Sequence, residues 1–293
     1  MIQIKNIILP LVIFISVTGF AQEKVLDNTF YVFNNCTRTL PNAPETMVEQ
    51  AKLVKELGYD GFAGHASEDY WKRREALDKV GLKMPEIYWG LKLTGEGKIT
   101  YNEEIKEIIK DSKNRDLLVA LVITGENLKD DQLVAKEIRG LAEYSKPFGV
   151  KVAIYPHVNT YVETVAHSVK LAGMIDRENA GVIFNTCHLL KAEGEEGWQE
   201  KALAALPYIY MVSINGADSG DTQNMKWNRL IQPLGEGTFN TYKLVKLFKD
   251  NGYEGLFGLQ CYNIKQDCRT ALEKSMTTWR NYQKSYAKEN RQK

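Results

Sequence analysis

Eight times along this chain a short run of β-branched and aromatic residues gives way to a longer stretch of helical period. No other feature restricts the fold as much. A run buried on both faces belongs inside a sheet, and an apolar helical stripe needs a flat surface to cover. The strand-like runs are 30–34, 61–65, 84–91, 117–124, 150–155, 181–185, 209–213 and 256–260. The helical stripes are Met47, Ala51 and Val54 over 45–57; Val134, Ile138 and Leu141 over 132–144; Val165, Val169 and Ala172 over 163–174; and Leu244, Leu247 and Phe248 over 241–250. A last helix carries Leu272, Met276 and Trp279. Gly58, Gly81, Gly149 and Gly252 each follow a helical stretch, where a left-handed C-cap is expected.

Repeated strand-then-helix units predict an α/β chain folded as a single-domain (β/α)8 TIM barrel. The open doubly wound sheet would want a glycine-rich phosphate turn after the first strand, and Asn34-Asn35-Cys36-Thr37 is not one. The chain has 293 residues, 44% of them hydrophobic and 26% charged, which excludes disordered, collagen-like and disulfide-scaffold classes. It is long enough to build its own core without staples. Cys36, Cys187, Cys261 and Cys268 match no metal or disulfide framework, so buried thiols and a bridge both stay open.

The first residues read as an export signal: Lys5, then an apolar segment over 7–18, then Gly19-Phe20-Ala21 with small residues at −3 and −1. The expectation is a signal peptide over 1–21, cleaved after Ala21, and a barrel over 22–293 that is periplasmic or secreted. No cysteine follows the apolar run, so no lipoprotein anchor is expected, and no later segment is apolar enough to cross a membrane. The 38 basic and 37 acidic residues nearly cancel. A near-neutral chain lacks the basic patch that releases counterions, so no nucleic-acid partner is expected.

Chemistry in such barrels sits at the C-terminal ends of the strands. The residues there are Asn34 and Asn35; His65; Tyr88 and Trp89; Thr124; Tyr155 and His157; Asn185 and His188; Ser213, Asn215 and Asp218; Gln260 and Tyr262. The fourth histidine, His167, lies off its helix's apolar stripe and is expected on the surface.

Several stretches resemble the xylose isomerase-like TIM barrels: Leu57-Gly-Tyr-Asp-Gly-Phe62, Lys151-Val-Ala-Ile-Tyr-Pro-His157, Ala180-Gly-Val-Ile-Phe-Asn-Thr-Cys-His188, Ile231-Gln-Pro-Leu-Gly-Glu-Gly-Thr-Phe239 and the run from Gly252 to Tyr262. That superfamily includes sugar isomerases and epimerases and metal-dependent apurinic endonucleases. The resemblance implies a divalent cation held by Glu on strand five, Asp-x-x-His on strand six, His on strand seven and Glu on strand eight. Here those positions read Tyr155, Asn185 with His188, Ser213 and Gln260. A hard cation needs anionic oxygen ligands, so no metal and no cofactor are expected. A neutral zinc site of His65, His157 and His188 is the alternative.

Asn and Gln offer both donor and acceptor, which suits neutral sugar hydroxyls. The resemblance and the substitutions together imply an isomerase, epimerase or lyase acting on a small carbohydrate or keto-sugar by metal-independent proton transfer. His188 is the first candidate base, with His157 or Asp218 as partner. His65, Tyr88, Tyr155, Asn185, Ser213, Asn215, Trp227 and Gln260 are the candidate substrate-binding residues. Glu86 is read as a structural carboxylate, paired inside the barrel with Lys151. The long loop 215–232 is read as a lid carrying Trp227. A non-catalytic carbohydrate-binding barrel is the alternative function, and a phosphodiester-cleaving enzyme a third. N-terminal sequencing of protein exported by a bacterial host is expected to begin at Gln22; a recovered chain that retains Met1 would contradict the signal.

Overall fold

The computed structural model describes residues 25–65, 69–125 and 128–291. The expected signal peptide lies outside the described residues. The strands are β1 (Phe30–Val32), β2 (Gly61–Phe62), β3 (Gly64–His65), β4 (Glu86–Leu93), β5 (Ile99–Thr100), β6 (Leu118–Gly125), β7 (Lys151–Ile154), β8 (Ala180–Asn185), β9 (Ile209–Ile214) and β10 (Leu256–Leu259). The helices are α1 (Asn35–Thr39), α2 (Met47–Glu56), α3 (Tyr70–Val80), α4 (Glu104–Asp111), α5 (Asp131–Ser145), α6 (Val165–Ile175), α7 (Thr186–Glu193), α8 (Trp198–Ala205), α9 (Trp227–Leu230), α10 (Thr241–Asp250) and α11 (Cys268–Arg291).

The parallel path runs β2-β1-β10-β9-β8-β7-β6-β4-β3. Its two ends, β2 and β3, are halves of one segment broken at Ala63, so the sheet nearly closes on itself. This is the expected TIM barrel, in one domain, and all eight expected strands are present. The antiparallel hairpin of β5 on the end of β4 was not legible, because Ile99–Thr100 is too short for a period. The helices obey ordinary end rules. Thr46 and Glu49 form a reciprocal capping box at α2, and Gly81 takes the left-handed C-cap of α3. Among the described residues, no helix is long and apolar enough to cross a membrane.

Alternation along the strands divides the core in two. Val182, Phe184, Phe257 and Leu259 face the helices, whereas Tyr31, Phe33, Ala63, Tyr88, Ala120, Ala153, Tyr155 and Ile183 fill the barrel interior. Large rings fit there because small residues stand opposite. A Cβ on Gly258 would lie 2.9 Å from the Tyr31 ring. Tyr31 thereby reaches Glu86, donating its hydroxyl to Oε2 at 2.5 Å. The expected Glu86–Lys151 pair is corrected: Lys151 is exposed and its ammonium lies over the Tyr210 ring. Lys151 shares the interior parity of Ala153, but it opens β7 at the bottom rim of the barrel, where its side chain stays in solvent. The four cysteines are free, buried thiols.

Burial pushes the Glu86 carboxyl up to about 8, with the Tyr31 bond opposing. The folded state therefore holds a proton that an unfolded chain releases near about 4.3. Stability is expected to be highest below that value, to decline as pH rises toward about 8, and to level off above it. Glu86→Gln should abolish this dependence and raise the midpoint of thermal unfolding at pH 9. Parallel melting curves of wild type and variant from pH 4 to pH 9 would show the opposite if Glu86 were charged in the fold.

Candidate active site

The C-terminal mouth of the barrel opens into a cavity of about 560 Å³. Its lining contains seven of the expected site residues: His65, Tyr88, Tyr155, His157, His188, Trp227 and Gln260. It also contains Phe33, Asn35, Arg38, Trp89, Asn159 and Tyr262. Asn35 and Arg38 lie on α1, a single turn directly after the first strand. The short polar run after Val32 was the signal for them, and its length concealed a helix. Trp227 and Tyr262 stand at the rim, part-exposed, and offer flat faces to a ring-shaped ligand.

Four expected residues are placed elsewhere. Asn185 is buried beneath the lining as the N-cap of α7, and Ser213 is buried on β9. Asn215 is buried and ties the loop over 215–232, donating Nδ2 to the Gly216 and Leu230 carbonyls at 2.7 Å. Gly216 and Gln232 close the base of that loop with paired backbone bonds. Asp218 accepts from Arg229 Nε at 2.7 Å, and this bond holds its carboxyl below the usual range. His167, expected on the surface, is part-buried and pairs with Asp131 at 2.9 Å.

The two histidines that meet are His157 and His188, with ring centroids 3.9 Å apart. One backbone residue fixes both. His157 Nδ1 lies 2.8 Å from the Val158 carbonyl, which only accepts, so Nδ1 carries the hydrogen and Nε2 keeps its lone pair. The Val158 N–H, which only donates, is 3.3 Å from His188 Nδ1, so in the neutral ring Nε2 carries the hydrogen. Burial lowers the pKa of both, and for His188 the neighbouring His157 lowers it further. The result is a neutral pair with opposite tautomers. His65 is on the other side of the mouth, joined to the pair through the Tyr88 and Tyr155 rings.

The residues at the family's metal positions do not fit a hard cation. Asn185 Oδ1 accepts the His188 N–H at 3.1 Å and the Cys187 thiol at 3.1 Å. Gln260 Oε1 accepts the Cys261 N–H at 2.9 Å, the Tyr262 N–H at 3.2 Å and the Asn35 amide at 3.1 Å. Both oxygen ends are occupied, so the amides present N–H ends where a cation needs acceptors. Among the described residues, no three His, Cys, Asp or Glu side chains are placed to hold a metal ion.

The xylose isomerase-like TIM barrel family model matches residues 51–282. The chain belongs to that family. None of the curated proteins matches it in sequence. Among solved structures it is similar to the IolI protein with a bound zinc atom (15% identity, TM-score 0.69, covering 88% of this chain and 99% of that one). It is also similar to 3-keto-D-glucoside 4-epimerase, YcjR, from E. coli (16% identity, TM-score 0.68, 87% and 99%). A third is L-ribulose 3-epimerase (14% identity, TM-score 0.67, 89% and 96%). At these identities the likeness shows the shared fold.

Long-range ¹H–¹⁵N spectra are expected to report His157 as the Nδ1–H form and His188 as the Nε2–H form near neutral pH. Both rings should take up a proton only below the ordinary histidine value of about 6.5. Matching tautomers, or titration above that value, would contradict the assignment.

Proposed function

We propose that this protein is an exported, metal-independent enzyme of the sugar isomerase and epimerase type, moving a proton at a carbon next to a carbonyl in a small carbohydrate or keto-sugar. The observation that carries this reading is the opposite tautomers of His157 and His188 beside an aromatic-walled cavity. A bare imidazole nitrogen and an imidazole N–H side by side supply a base and a donor, both neutral at the pH where the reaction runs. His157 Nε2 takes the proton from carbon. His188 Nε2–H donates to a substrate oxygen. These assignments exchange the order anticipated from sequence, in which His188 led as base, because Val158 meets Nδ1 of both rings with opposite groups, its carbonyl at His157 and its N–H at His188. Trp227 and Tyr262 receive the sugar face, and Asp218 has no part. The named activities of the epimerase neighbours, acting on a 3-keto-glucoside and on L-ribulose, support the substrate class.

The test is uptake of solvent deuterium by a panel of ketohexoses and methyl 3-keto-β-D-glucoside, followed by NMR. His157→Asn is expected to slow exchange by about 10²- to 10⁴-fold, the usual contribution of a general base. For the wild type, kcat/KM should rise with pH as His157 loses its proton, with the midpoint below the ordinary histidine value. A sugar that binds and returns with no deuterium would favour the binding-only barrel.

A further inference from the structure

The hydroxyl of Tyr155 is buried beside two side-chain amides and a second phenol. The Asn185 amide Nδ2 donates to the phenol oxygen, and Tyr88 and Gln260 make further side-chain hydrogen bonds there. The direction of the amide bonds follows from the backbone. The His188 N–H fixes Asn185 Oδ1, and the Cys261 and Tyr262 N–H groups fix Gln260 Oε1, so neither amide can rotate without setting an N–H against an N–H. Their nitrogen ends are thus held toward Tyr155, whose oxygen must accept. A phenol oxygen that accepts from two amides keeps one capacity, its own O–H, which the Tyr88 hydroxyl or a substrate oxygen can take. Tyr155 also lines the cavity, beside His157 at 6.2 Å and His188 at 5.9 Å between ring centroids.

We infer that the Tyr155 hydroxyl is a catalytic hydrogen-bond donor that takes over, at the substrate carbonyl oxygen, the electrophilic part a cation would play. The inference rests on the proton-transfer reading and adds the group that stabilises its intermediate. As His157 removes the proton from carbon, the C–H electron pair forms a carbon–carbon double bond and the carbonyl pair moves onto oxygen. The Tyr155 O–H donates to that oxygen without transferring its proton, and collapse of the enolate with a proton from His157 completes the cycle. Asn185 and Gln260 are positioning residues: each fixes the phenol oxygen and leaves the hydrogen for the substrate. Burial raises the pKa of Tyr155, so the donor stays protonated at neutral pH. Preorganised donors of this kind act most strongly where charge develops on oxygen.

Glycolohydroxamate, a planar mimic of an enediolate, provides the test, titrated with and without EDTA against wild type, Tyr155→Phe and Asn185→Asp. Wild type is expected to bind, with Tyr155→Phe weaker by at least about tenfold and slower in deuterium exchange by about 10²- to 10³-fold, the usual loss for one oxyanion donor. Asn185→Asp should act in the same direction, because a carboxylate captures the phenol proton. Far-ultraviolet circular dichroism and melting curves establish that both variants fold. Equal binding by Tyr155→Phe, no binding by wild type, or binding that EDTA abolishes would overturn the inference. If the mimic binds as expected while no sugar exchanges deuterium, the inference stands and the choice of substrate class fails.

Discussion

A parallel sheet that nearly closes on itself encloses a tightly packed interior, and the placement of polar groups in this molecule answers to that constraint. Inward side chains must be apolar, small, or fully met by other groups. Tyr31 and Glu86 meet that demand at depth only in part, through one bond that Gly258 leaves room for, while Glu86 Oε1 stays buried without a hydrogen-bond partner. Nearer the mouth, aromatic rings take over as the interior, with Phe33 stacked on Tyr88 at 3.8 Å between centroids. Polar chemistry is thereby displaced to the C-terminal rim, where strands end and backbone N–H groups become available to side chains.

At that rim the backbone, more than any side chain, sets the chemistry. Val158 gives its carbonyl to one histidine and its N–H to another, and the two rings become unlike although their residue type is the same. The first turn of α7 fixes Asn185 through the His188 N–H, and the chain leaving β10 fixes Gln260 through two N–H groups. Each of these bonds has one backbone partner whose role is fixed, an N–H that only donates or a carbonyl that only accepts. Tautomers and amide orientations follow from that one-sidedness, and so does the mismatch with a hard cation.

The barrel was readable because period is local. A strand buried on both faces and a helix with one apolar stripe carry their patterns in a dozen residues, as 181–185 and 241–250 do. The capping signals were local too, and Gly58, Gly81, Gly149 and Gly252 all adopt positive φ. The rim was readable in part: strand ends brought His65, Tyr88, Tyr155, His157, His188 and Gln260 to one cavity. Asp218 was assigned to the mouth by its position after β9, yet Arg229, eleven residues on, turns it into the loop's own ion pair. Asn185 followed its strand as expected but became a cap, because α7 begins on the next residue.

By itself the sequence determined the fold class, the family and the loss of the carboxylates that would hold a hard cation, since each is written in residue type and spacing along one segment. Only the tertiary structure decided which histidine keeps a bare nitrogen, which end of each amide faces Tyr155, and which polar residues reach the cavity. Those choices depend on bonds between segments distant in the chain, such as Asn35 to Gln260, and on the fixed direction of backbone donors. No local pattern carries that information.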